Sequence, residues 1–251
     1  MPDWTGSPLH RSRFARHLCL AVDAKGYGGR DSVAQYDLQR DLPKVLKDAA
    51  AAAGLDRSQW CIQQQGDGEL ALLPPGQREP RVVDDFVREL HAYLALLNFE
   101  RRSETRLRLR VAIHFGVAYK AQSGFAGDAV VVTARLLASA ALHDALEQAP
   151  GADVAVALSD RVYTDIVFQR HTSLLPDQFS RVEVAEKEYT GPAWIRVLSH
   201  GPTAGGAARP MPIGRPTPDH RPARPASPLV QSNFYGEVRA DVIGVRFGES
   251  D

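Results

Sequence analysis

Trp60-Cys61-Ile62-Gln63-Gln64-Gln65-Gly66-Asp67-Gly68-Glu69-Leu70-Ala71-Leu72-Leu73 is the stretch whose reading decides the fold. Two short strand-like pieces, 60–64 and 69–73, flank Gln65-Gly66-Asp67-Gly68, a pattern that predicts a β-hairpin with an acidic tip. Upstream, Leu18-Cys19-Leu20-Ala21-Val22 is short and continuously apolar, which suits a buried strand. It stops at Asp23, and Gly26, Gly28 and Gly29 then require a sharp turn. Between that strand and the hairpin, residues 33–53 carry Leu38, Leu42, Val45 and Leu46 at helical spacing, with Gly54 as a stop. Pro43 falls inside this pattern and implies a kink or a late start.

Downstream of the hairpin, Val82, Val83, Phe86, Leu90, Tyr93, Leu94 and Leu97 line one face of a helix over 82–97. Residues 107–117 read as a strand, with Arg106, Arg108 and Arg110 alternating against Leu107, Leu109 and Val111. A glycine-containing loop, 124–127, leads into a helix through Leu146. A strand at 154–158, a helix at 160–168 and a strand pair at 181–184 and 194–197 complete the domain. Trp60, Trp194 and the leucine stripe of 82–97 read as core or dimer surface. The order of elements predicts an α/β chain of α+β sandwich type, ferredoxin-like, with a mostly antiparallel sheet and helices packed on it.

At 251 residues the chain could hold one large domain or two small ones. An apolar share of 44% supplies a full core, and 30 basic residues balance 30 acidic ones. That balance argues against a nucleic-acid or membrane footprint for the whole protein. Cys19 and Cys61 lie in apolar, strand-like runs and read as buried free thiols of a reducing compartment. No stretch holds about 18 uninterrupted apolar residues, so a cytoplasmic protein is expected. After His200 the composition changes. Eight of the chain's 17 prolines fall in 201–228, and 201–229 reads as a disordered linker rich in Pro, Gly and Ala. Residues 233–248 turn apolar again, a β-prone segment too short to fold alone.

On a ferredoxin-like fold, Asp23 ends the first strand and Asp67 sits on the hairpin tip, which sets the two side by side. Two such carboxylates repel unless a cation lies between them, and Mg²⁺ prefers carboxylates together with substrate phosphates. Two ordinary turn aspartates are the alternative, because Asp-Gly is a common turn pair.

Four ordered motifs resemble class III adenylate/guanylate (nucleotide) cyclases, in a divergent, actinobacterial-like form. Val22-Asp23-Ala24-Lys25-Gly26-Tyr27 and Gln65-Gly66-Asp67-Gly68-Glu69-Leu70-Ala71 look like the two metal motifs. Leu109-Arg110-Val111-Ala112-Ile113-His114-Phe115-Gly116 is similar to the central strand. Gly127-Asp128-Ala129-Val130-Val131-Val132-Thr133-Ala134-Arg135-Leu136 resembles the helix bearing catalytic groups. The resemblance implies a cyclase catalytic-domain fold over one domain, 14–198, with Mg²⁺ or Mn²⁺ held by Asp23 and Asp67 and a nucleotide triphosphate as ligand. It implies Arg135 as the arginine that steadies phosphate charge in the transition state. Lys187 matches a phosphate-contacting lysine, although the family's following glycine is absent. It also implies a head-to-tail homodimer in which Asp23 and Asp67 of one copy face Arg135 of the other. A solvated helix arginine and an edge-strand lysine are the alternatives for Arg135 and Lys187.

Three positions depart from the pattern. The transition-state asparagine, four residues before the arginine, is Val131. The base-reading position on the hairpin is Gln63, and its usual partner falls on Gly124. Valine forms no hydrogen bond to a ribose, and one such oriented donor is often worth 10²–10³ in rate. Gln63 still offers both donor and acceptor. His114 is expected to be a buried, satisfied core histidine. The segment 233–248 resembles short amyloid-forming signalling motifs that recruit like with like, the alternative being a strand folded onto the domain's own sheet edge. Two functions follow. One is a catalytically impaired signalling module that binds metal and nucleotide and recruits a protein partner through 233–248. The other is an active cyclase making a cyclic nucleotide from ATP or GTP.

Overall fold

In the computed structural model, residues 15–122 and 124–199 are described; the expected linker at 201–229 and the motif at 233–248 lie outside them. The first element of the described residues is β1 (Arg16–Ala24), whose leucines and valine alternate with Cys19, Ala21 and Asp23. Leu18, Leu20 and Val22 join the larger core, so Asp23 projects to the opposite face of the sheet. Asp31 caps α1 (Ser32–Ala52) by accepting from the backbone N–H of Ala34. The helix runs through Pro43 to Ala52, so the expected late start does not occur. The hairpin follows as β2 (Cys61–Gln65) and β3 (Gly68–Leu72).

A π-helical turn, Arg81–Phe86, opens directly into α2 (Val87–Asn98). Next come β4 (Leu109–Val117) and a small hairpin of β5 (Tyr119–Ala121) and β6 (Gly124–Ala126). That hairpin replaces the plain glycine loop expected at 124–127. The expected single helix through Leu146 is two: α3 (Asp128–Ala138) and α4 (Ala140–Glu147). Ser139 makes the break. Its extended backbone ends α3, and its side chain accepts from the N–H of Leu142 to cap α4. By length and composition 128–147 would pass for a membrane span. Its apolar side chains instead include Leu136, Leu142 and Leu146 of the second core. The described residues close with β7 (Ala152–Ser159), α5 (Asp160–Val162) with its π-helical continuation to Phe168, β8 (Ser180–Glu186) and β9 (Tyr189–Ser199).

Seven strands form one sheet in the order β2-β3-β1-β4-β7-β9-β8. Only the β4–β7 contact is parallel; every other neighbour pair is antiparallel. α1, α2 and α5 cover one face, with Phe86, Leu90 and Leu94 packed on Leu20, Val111 and Val156. α3 and α4 cover the other, with Leu136, Leu142 and Leu146 against Ala112, Ala155 and Ala157. The alanines on that face let the helices approach closely. The α+β sandwich expected from the sequence is the architecture observed.

Cys61 and His114 differ from the expectation. Cys19 is buried, its thiol pushed up to about 12 by burial, but Cys61 is exposed because β2 is an edge strand. His114 is half-buried and not satisfied: its Nδ1 has no hydrogen-bond partner. Burial holds it down to about 4, so the ring is neutral at pH 7.

Candidate functional site

The hairpin tip explains how the two aspartates meet. Gln65 pairs with Gly68, leaving Gly66-Asp67 as a two-residue turn with Gly66 at φ 62°. Gly68 lies opposite Asp23 in the ladder, and a Cβ there would sit 2.2 Å from the carbonyl oxygen of Val22. Only glycine permits that approach. The N–H of Ala24 donates to the carbonyl of Asp67 at 2.9 Å, which ties the end of β1 to the tip. Asp23 and Asp67 are thereby neighbours, close enough that the charge of Asp67 acts on Asp23.

Asp23 does not stand alone. Its Oδ1 accepts from Arg110 Nε at 2.8 Å and its Oδ2 from Nη2 at 2.6 Å, a bidentate pair across the β1–β4 register. The remaining Arg110 nitrogen, Nη1, lies against Nε2 of His143 on α4. Side-chain exposures of 12% for Arg110 and 22% for Asp23 place the pair under partial cover. Burial raises the Asp23 carboxyl above the usual carboxylate range, Arg110 opposes that rise, and Asp67 adds to it. His143 is held below its ordinary value by burial and then by Arg110. Asp23, Arg110 and His143, with Gln65, Leu70, Ala134, Leu137 and Ala138, line a cleft of about 340 Å³, and Asp67 lies outside this lining.

A divalent cation fits this donor set in chemical type. Two hard oxygen donors are neighbours, and burial first, with the charge of Asp67 adding to it, raises the Asp23 carboxyl, a cost that a cation would relieve. The same two Asp23 oxygens are taken by Arg110, so a cation competes with the guanidinium or turns it aside. Among the described residues no cluster of three or more His, Cys, Asp or Glu could hold a metal. Substrate or water oxygens would therefore have to complete the shell.

Arg135 lies elsewhere on the same face. Its Nε and Nη2 donate to Oε1 of Glu188 at 3.1 and 2.8 Å. Glu188 follows Lys187 in the β8–β9 turn, and Lys187 is a non-glycine residue at φ 53°. Arg135 and Lys187 thus belong to one locality, while Asp23, Asp67 and Arg110 form another beside β1. Val131, one turn before Arg135, is 38% exposed. Gln63 and Gly124 also meet: a Cβ on Gly124 would lie 2.6 Å from Gln63 Oε1. The amide occupies the space a side chain at 124 would need.

Sequence reasoning missed Arg110, His143 and Glu188 as site residues. Arg110 stood in the quoted central-strand motif, and its alternation with Leu109 and Val111 marked it as facing away from the larger core. A larger groove of about 830 Å³ runs between 77–88 and 165–173. Of its acids, Asp84 is engaged by Ser173 and Arg88, Asp85 by Arg88 and Asp165 by Arg161, and the groove contains none of the candidate residues.

No family model and no curated protein matches this sequence. Solved structures do share its architecture. The adenylate/guanylate cyclase/hydrolase from Silicibacter pomeroyi is 22% identical, covers 72% of this chain and 96% of its own, and has a TM-score of 0.50. The guanylyl cyclase Cya2 is 16% identical, covers 76% of this chain and 95% of its own, and also has a TM-score of 0.50. At such identities the likeness speaks for architecture, and the fold of this chain is that of the nucleotide cyclase catalytic domains.

Proposed function

We propose that this domain is a cytoplasmic nucleotide cyclase-like module that binds a nucleotide triphosphate with Mg²⁺ or Mn²⁺ and turns it over poorly or not at all. The observation that supports the reading is that Asp67 neighbours Asp23 at the β1 end, with Arg110 paired to Asp23. When bound, the cation supplies positive charge between the carboxylates and the phosphates. Arg110 is a second source of such charge, since a guanidinium that pairs with a carboxylate also fits a phosphate. Gln63 is assigned to the base, reading its edge through an amide that both donates and accepts.

The separation of the two localities supports a head-to-tail homodimer, as the family resemblance implies. In one copy Asp23 is bonded to Arg110 and Arg135 to Glu188, so neither centre completes the other. Pairing copies would bring Arg135 and Lys187 of one against Asp23 and Asp67 of its partner. Turnover is impaired in this account because Val131 offers no donor to orient the ribose, and removal of one oriented donor often costs 10²–10³ in rate. The segment 233–248 is assigned to recruiting a protein partner.

The alternative, an active cyclase, is favoured by the retention of both carboxylates together with Arg135. Purified protein incubated with ATP or GTP and Mn²⁺ separates the two. Nucleotide binding with little or no cyclic product supports the impaired module. Product abolished by Asp23→Ala would establish the cyclase instead.

A further inference from the structure

We infer that Glu188 is an internal competitor for the phosphate-binding edge of Arg135, so that triphosphate engages this arginine only by displacing an intramolecular carboxylate. This rests on the proposed function and adds a residue that controls access to that site. The guanidinium edge formed by Nε and Nη2 is the one that grips an oxyanion bidentately. Here both nitrogens are spent on a single oxygen, Oε1 of Glu188. The contact spans 53 residues of sequence, so the local helix does not force it.

A second observation points the same way. Lys187 holds a left-handed backbone at φ 53° in the turn immediately before Glu188. The two-residue hairpin turn between Glu186 and Tyr189 calls for that backbone, which fixes the position from which Glu188 reaches Arg135. Glu188 is 60% exposed in its side chain while Arg135 is 22% exposed, so the carboxylate reaches in from solvent onto a mostly covered partner. A pair of this exposure is weak and salt-screened. A triphosphate carrying several charges displaces it readily. Glu188 therefore lowers affinity by a modest factor and keeps Arg135 satisfied when no polyanion is present.

The test measures binding of Mn²⁺–ATP, Mn²⁺–GTP and inorganic tripolyphosphate to the full chain by calorimetry. Five proteins are compared: the unaltered chain, Glu188→Gln, Glu183→Gln, Arg135→Ala, and Glu188→Gln combined with Arg135→Ala. Glu183 lies on the same hairpin and pairs with Arg181, so it controls for a general change of charge. Glu188→Gln is expected to bind triphosphate about two- to fivefold more tightly, the gain shrinking as salt rises. Glu183→Gln should match the unaltered chain, and the gain should vanish when Arg135 is absent. Equal affinity in Glu188→Gln and the unaltered chain overturns the competitor role, as does an equal gain in Glu183→Gln. Both of those outcomes leave triphosphate binding intact. Failure of every protein to bind any triphosphate would instead remove the proposed function and this inference with it.

Discussion

Arg110→Met removes the bidentate partner of Asp23 while keeping an unbranched apolar stem of similar reach. Two charge-assisted hydrogen bonds of 2.8 and 2.6 Å are lost, and a mostly covered carboxylate is left beside Asp67. Breaking a fully buried pair costs about 3–5 kcal/mol. With Asp23 still 22% exposed, water repays part of that, and we expect about 2 kcal/mol at pH 7.5. For a domain of this size the loss corresponds to a fall in Tm of about 4–8 °C. The pH dependence has a definite sign. The folded-state pKa of Asp23 is raised, so its stability contribution is full below the unfolded value and is lost as pH rises through the folded one. Without Arg110 that rise increases, so the deficit of Arg110→Met should deepen from pH 5 to pH 7.5. Adding Asp23→Asn removes the stranded charge and should recover about 1–2 kcal/mol, read as non-additivity in a double-mutant cycle. Urea denaturation at the two pH values measures all of this. A single variant within about 0.5 kcal/mol of the parent at pH 7.5, or strict additivity in the cycle, would refute the reasoning.

Other perturbations probe separate parts of the account. Val131→Asn restores a polar donor at an exposed position on α3, so it should raise cyclic-nucleotide production by about 10–10² with Mn²⁺ present. Unchanged product formation would show that this valine is not what limits turnover. His114 is depressed to about 4, so the folded chain keeps it neutral while the unfolded chain takes up a proton below its ordinary value of 6.5. Stability is therefore lost as pH falls from 6.5 towards 4, by about 2 kcal/mol already at pH 5. In His114→Leu that part of the acid sensitivity should disappear, and denaturation midpoints at pH 5 and 7.5 will report it.

The hairpin, the buried β1 strand and the α2 stripe were legible because their signals are local. Gly66 and Gly68 fix the turn and the close approach of β1, and Phe86, Leu90 and Leu94 repeat at helical spacing. The neighbourhood of Asp23 and Asp67 was legible only through the topology that the element order implied. What stayed hidden depends on register and on sheet order. Arg110 reaches Asp23 because β4 runs antiparallel beside β1 with the two residues opposite, a pairing across 87 residues. Cys61 looked buried by its neighbours, yet β2 lies at the sheet edge. The Ser139 break was masked by apolar periodicity continuing on both sides of it. Glu188 was seen only as a missing glycine, and its partner on α3 emerges from tertiary packing.

The claim on which the rest depends is that Asp23 and Asp67 share a cation. Titrating Mn²⁺ into the unaltered protein, Asp23→Asn and Asp67→Asn, with free ion followed by electron paramagnetic resonance, tests it directly. The account predicts saturable binding in the unaltered chain that is weakened at least tenfold by either substitution, with the folded structure retained by circular dichroism. Binding that survives both substitutions unchanged would contradict it.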